Sequence, residues 1–108
     1  MTTPEYMHLA DECLGRVTRW LEEFDPDEVD YSTTDGMVSI EFPDRQRFVL
    51  NRQSGNHQMW FAAGVSAWHF AWDPERRGWF DDKDGHELYG RVAGEVSRKL
   101  GRPVAFES

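Results

Sequence analysis

Leu50-Asn51-Arg52-Gln53-Ser54-Gly55-Asn56-His57-Gln58-Met59-Trp60-Phe61 reads as a strand, a polar turn and a second strand. Ser54-Gly55-Asn56 supplies the turn chemistry. Beyond it, His57–Ala62 alternates, with Met59 and Phe61 facing one way and Gln58 and Trp60 the other. Met59 and Phe61 mark a core face. Parity puts Asn51, Gln58, Trp60 and His69 on the opposite face, with Gln53 if the strand extends that far. A large aromatic among amides, pointing away from the core, has the composition of an interaction anchor.

The same pattern continues outward. Arg47–Asn51 leads into the turn, and Ala67–Trp72 follows it, with Trp68, Phe70 and Trp72 towards the core and Ala67, His69 and Ala71 away from it. Trp68 is expected to be a core residue. Gly78–Asp81 is a short last strand after a loop containing Pro74. Upstream, Met37–Phe42 alternates Val38, Ile40 and Phe42 with polar residues, and Asp35-Gly36 turns it back onto a first strand at Val29–Ser32. Pro43-Asp44 closes the next turn.

Helical periodicity replaces alternation at both ends. Tyr6, Leu9, Cys13, Val17, Trp20, Leu21 and Phe24 form one stripe, which predicts a helix from Pro4 to Phe24 capped by Thr2 or Thr3. Cys13, the only cysteine, lies on that stripe and reads as a small core residue in a reduced setting. Leu88, Val92, Val96 and Leu100 define a second helix, expected to begin near Gly85 with Asp84 and Glu87 at capping-box spacing. Gly101 and Pro103 end it, and Val104–Phe106 is an extended tail suited to cover the groove between the helices. The predicted class is α+β: residues 1–108 as one domain, a two-layer sandwich with two helices on one face of an antiparallel sheet of five to six strands.

Charge is distributed unevenly. The net charge is −8; residues 1–36 hold ten acids against two Arg, and residues 37–108 balance ten against ten. Such a field repels nucleic acid and anionic membranes and attracts cations and basic protein surfaces. No apolar stretch is long enough to span a bilayer, and the N-terminus lacks signal-peptide character, so a cytoplasmic location is expected.

Within the acidic third, Glu22, Glu23, Asp25, Asp27, Glu28 and Asp30 place six acids in nine residues. Acids at a helix C-terminus oppose the helix dipole and repel one another, so the arrangement costs stability. Carboxylate oxygens without a fixed cage bind hard cations weakly and with little selectivity. Glu5, His8, Asp11 and Glu12 form a second candidate metal set on the first helix, though a solvated helix face explains these residues as well. Glu12–Arg16 and Arg19–Glu23, at i,i+4 spacing, are expected to pair and neutralise the helix middle.

The signature Asn51-Arg52-Gln53 followed by Gln58-Met59-Trp60-Phe61 resembles that of the frataxin family, bacterial type. Leu9-Ala10-Asp11, Trp68-His69-Phe70, Trp79 and Gly85 keep the family's spacing over nearly the whole chain. Thr18 and Arg19 stand where bacterial relatives often carry acids, Gly55 replaces the usual proline, and His69 stands where eukaryotic members carry Arg. The resemblance implies a frataxin-like sandwich that binds iron, ferrous or ferric, weakly along an acidic ridge, with other divalent cations able to substitute. It also implies docking on the cysteine desulfurase and the iron–sulfur scaffold protein, tuning their rate. By position, Asn51, Gln53, Gln58 and Trp60 correspond to the docking face, which parity extends to His69, and Glu22, Glu23, Asp25, Asp27 and Asp30 correspond to the ridge.

The expected protein is therefore a monomeric iron-binding regulator or iron donor, forming oligomers with metal if at all, without catalysis of its own, and without nucleic-acid or membrane partners. A ferroxidase is the alternative from the enzyme class. A single-stranded nucleic-acid binder stacking bases on Trp60 is a third, disfavoured by the charge.

Overall fold

The computed structural model describes residues 1–106. Helix α1 spans Thr3–Leu21. The Thr2 hydroxyl accepts from the Glu5 N–H and the Glu5 carboxylate accepts from the Thr2 N–H, a reciprocal cap that satisfies two otherwise unpaired donors. The helix stops at Leu21 rather than the expected Phe24. Glu23 and Phe24 bond back to the carbonyls of Trp20 and Leu21, tightening the final turn ahead of Pro26. Phe24 nevertheless packs edge-on against Trp20, at 5.0 Å.

Six strands follow as an uninterrupted antiparallel meander: β1 (Asp30–Thr34), β2 (Met37–Glu41), β3 (Arg47–Gln53), β4 (Gln58–Ala63), β5 (Ser66–Asp73) and β6 (Gly78–Asp81). The first strand starts at Asp30, not Val29, because the Val29 N–H is taken by the Asp25 carbonyl in the preceding turn while its side chain is buried. Residues Ser54–Asn56 form a single 3-10 turn, and His57 leaves it with φ 53°, which delays β4 to Gln58.

Helix α2 spans Leu88–Leu100. Its cap is Glu87, whose carboxylate accepts from the N–H groups of Tyr89 (2.9 Å) and Gly90 (3.0 Å). The expected start near Gly85 under Asp84 is therefore corrected. The intervening loop is instead wrapped around Asp81, which accepts from the Lys83 and Asp84 N–H groups, with Gly85 at φ 72°. Gly101, at φ 74°, ends α2 as expected.

One buried cluster joins the inner faces. Tyr6, Cys13, Val17 and Leu21 from α1 meet Val38, Ile40, Leu50, Met59, Phe61, Phe70 and Trp79 from the sheet and Leu88, Val92 and Val96 from α2. Both helices thus lie on one face of the sheet. The tail closes their seam: Trp20 Nε1 donates to the Ala105 carbonyl (3.0 Å), Phe106 stacks on Trp20, and the Val104 N–H donates to Ser97 Oγ (2.9 Å).

Other expectations change. Trp68 is only half-buried, under the Arg91 guanidinium, and the fully enclosed tryptophan is Trp79, 1% exposed. Neither Glu12–Arg16 nor Arg19–Glu23 is among the ion pairs of the described residues. Arg16 lies 4.4 Å over the Tyr89 ring instead, and Arg19 folds back over Gly15. No helix among the described residues is long and apolar enough to cross a membrane.

Candidate functional site

The acidic run occupies the corner where α1 gives way to β1. Glu22 accepts a hydrogen bond from Tyr31 Oη (3.1 Å), and this bond to a carboxylate pushes the phenol's pKa up. Asp25 caps its own turn through the Asp27 N–H (2.9 Å), Asp30 accepts from the Tyr31 N–H (2.8 Å), and Glu28 pairs with Arg102 at 2.5 Å. The carboxylates of Glu23 and Asp27 have no hydrogen-bond partner among the described residues. Glu23, Asp25 and Glu28 line one shallow depression beside Arg102 and the tail.

The donor set is oxygen only, and each side chain keeps unused lone pairs. Among the described residues no three of these groups converge closely enough to form a cage. Such a surface suits a hard cation held loosely by one or two carboxylates plus water. The second candidate set is partly committed. The backbone N–H of Thr2, its largest influence, holds the Glu5 carboxyl below its usual range, and Asp11 is bound to Arg52 at 2.5 Å. His8 and Glu12 remain exposed, 3.8 Å apart.

The outer sheet face brings the expected docking residues into register. Asn51, Trp60 and His69 lie side by side across β3, β4 and β5, and Gln53 pairs with Gln58 one step along. The Trp60 indole stacks on the His69 ring at 4.2 Å and 17° between planes, and its Nε1 donates to Gln58 Oε1 (2.9 Å). The indole is thus held flat, with its polar edge satisfied and its outer face presented.

Two residues support these surfaces through contacts that the sequence did not indicate. Tyr6 reaches from α1 into the β3–β4 turn, where its hydroxyl donates to the Gln58 carbonyl (2.8 Å) and accepts from the Gln53 N–H (3.0 Å). Arg52 bridges Asp11 and Asp35, tying α1 to the β1–β2 turn. Both depend on partners distant in sequence, which no local pattern reveals. Cys13 is sealed in the core, where burial pushes its thiol up to about 12, in keeping with a structural role.

Fold and surfaces together define an open-faced α+β sandwich with an acidic edge and a flat amide-and-indole sheet face. The frataxin-like domain model matches residues 1–102, and the chain belongs to the frataxin family. It is similar to the frataxin of Psychromonas ingrahamii, of the CyaY protein family, with a TM-score of 0.88 and 25% identity over 100% of both chains. It is also similar to the trimeric frataxin of the yeast Saccharomyces cerevisiae complexed with ferrous iron, at TM-score 0.74 and 26% identity over 87% of each chain. The yeast trimer with its full-length N-terminus matches at the same TM-score and identity, over 87% of this chain and 80% of that one.

Proposed function

We propose that this chain binds iron as a weakly held cargo at Glu22, Glu23, Asp25, Asp27, Glu28 and Asp30, and docks on the cysteine desulfurase and scaffold of iron–sulfur cluster assembly, adjusting their rate. The observation that carries the proposal is the placement of six acids where α1 ends, a position at which negative charge opposes the helix dipole. Membership of a family with a ferrous-complexed member supports iron over other cargo. The same carboxylates would steer the chain towards a basic partner surface, and Trp60, with Asn51, Gln53, Gln58 and His69 around it, would anchor the complex. The working form proposed is a cytoplasmic monomer that catalyses nothing itself, with oligomers favoured by metal.

The test is an anaerobic NMR titration with ferrous ion, repeated with manganous ion. Broadening should centre on the amides of residues 22–30, with the two cations competing. Broadening centred on His57 or on α2 would refute the assignment. Saturable oxidation of ferrous iron, faster than by an equally acidic control protein, would make the chain a ferroxidase instead.

A further inference from the structure

A second concave surface adjoins the acidic depression at the tail, where Ala105 lines both. It is a groove of about 440 Å³ between α1, the start of α2, the β5–β6 turn and the tail, within the range of small-molecule sites (~300–1,000 Å³). Its aromatic walls are Trp72, Tyr89 and Phe106, and it contains Arg16 and Arg77.

Its charge runs against that of the chain, which is −8 overall. Arg16 and Arg77 have no carboxylate partner among the described residues. Arg76, also in the wall, is bound to Asp73 at 2.7 Å. Of the two acids lining the groove, Glu87 has both oxygens committed to capping α2, and Glu12 sits at the exposed rim 3.8 Å from His8. Apart from the exposed Glu12, the uncommitted charged side chains of the groove among the described residues are cationic.

Arg16 is also oriented for recognition. Its guanidinium carbon is 4.4 Å from the Tyr89 ring centre and 5.9 Å from that of Phe106. Within cation–π reach of both rings, the guanidinium has no ion pair among the described residues, so the planar N–H fork that matches a carboxylate or phosphate is uncommitted. Arg77 reaches the groove from the β5–β6 turn with φ 54°, a conformation uncommon for a residue with a side chain.

We propose that this groove binds a small planar anion, an aromatic ring carrying a carboxylate or a phosphate, with the anionic group on Arg16 and Arg77 and the ring against the aromatic walls. The proposal goes beyond the iron-binding reading, and its test contains no metal, so either can fail alone.

Phenyl phosphate and 4-hydroxybenzoate are titrated separately into the intact protein and followed by amide NMR, with phenol and inorganic phosphate as half-ligands. Saturable shifts at Arg16, Arg77 and Tyr89 are expected, with each half-ligand about tenfold weaker, the scale of a charge-assisted hydrogen bond. Binding of phenyl phosphate alone identifies a phosphate ligand, and binding of hydroxybenzoate alone a carboxylate; either supports the groove. Arg16→Gln and Arg77→Gln should each weaken binding by about tenfold. Arg77→Gln changes only a turn side chain, so it remains informative if Arg16→Gln disturbs folding. Absence of saturable shifts, shifts scattered over the surface, or affinity indifferent to Arg77→Gln would overturn the proposal.

Discussion

Replacing Trp60 with alanine separates an anchor from a core residue, and the structure sets the scale of the difference. Trp60 is half-buried on the outer face, so its removal opens no cavity. Stability loses the stack on His69, about 0.5–1.5 kcal/mol, and the net value of the Gln58 hydrogen bond, about 0.5–1.5 kcal/mol. With water replacing part of that bond, about 1–2 kcal/mol is expected. Trp79 is 1% exposed and packed edge-on against Tyr6 and Trp72, and Trp79→Ala should cost about 3–5 kcal/mol. Urea unfolding of both variants measures this contrast. Surface-captured desulfurase then reports dissociation: a hot-spot loss of about 2 kcal/mol corresponds to release roughly 30-fold faster for Trp60→Ala. A Trp60→Ala protein as destabilised as Trp79→Ala, with unchanged dissociation per folded molecule, would refute the anchor role.

The acidic corner should be relieved by charge removal. Asp27→Asn, which breaks no pair among the described residues, should raise the melting temperature slightly, as should added salt or divalent cations, and a midpoint insensitive to all of these would mean the carboxylates do not interact. Glu87→Ala removes the cap of α2 and should lower stability by about 1 kcal/mol in urea unfolding, whereas Asp84→Ala should cost less. Cys13, buried and with its thiol raised to about 12, should resist a thiol-reactive dye in native buffer and react at once in denaturant; rapid native labelling would contradict the core assignment.

Alternation and helical stripes identified the elements that bury one face against the other layer, whereas β1, exposed except at half-buried Tyr31, was marked by the Asp35-Gly36 turn. Val38, Ile40, Met59, Phe61, Val92 and Val96 all reached the core their spacing assigned. Element ends were less legible. Glu87 caps α2 where Asp84 was expected, because buried Asp81, 5% exposed, gathers the loop's N–H groups first. The outer face was readable from parity alone, and the structure places Asn51, Trp60 and His69 in one row. Helical spacing misjudged Arg16 and Arg19. It compares neighbours on one helix and is blind to Tyr89, which meets Arg16 from the other, while Arg19 folds back over Gly15. The Arg52 bridge to Asp11 and Asp35 was invisible for the same reason.

The most direct measurement is the rate of cysteine desulfurase and of cluster formation on the scaffold, with and without this protein, across ferrous iron concentrations. The native chain should change the rate in an iron-dependent way. Trp60→Ala should lose the effect at every iron level, and a variant with Glu22, Glu23, Asp25 and Asp27 neutralised should lose its dependence on iron. Rates indifferent to the native chain at all iron concentrations, or variants that act as it does, would contradict the proposed function.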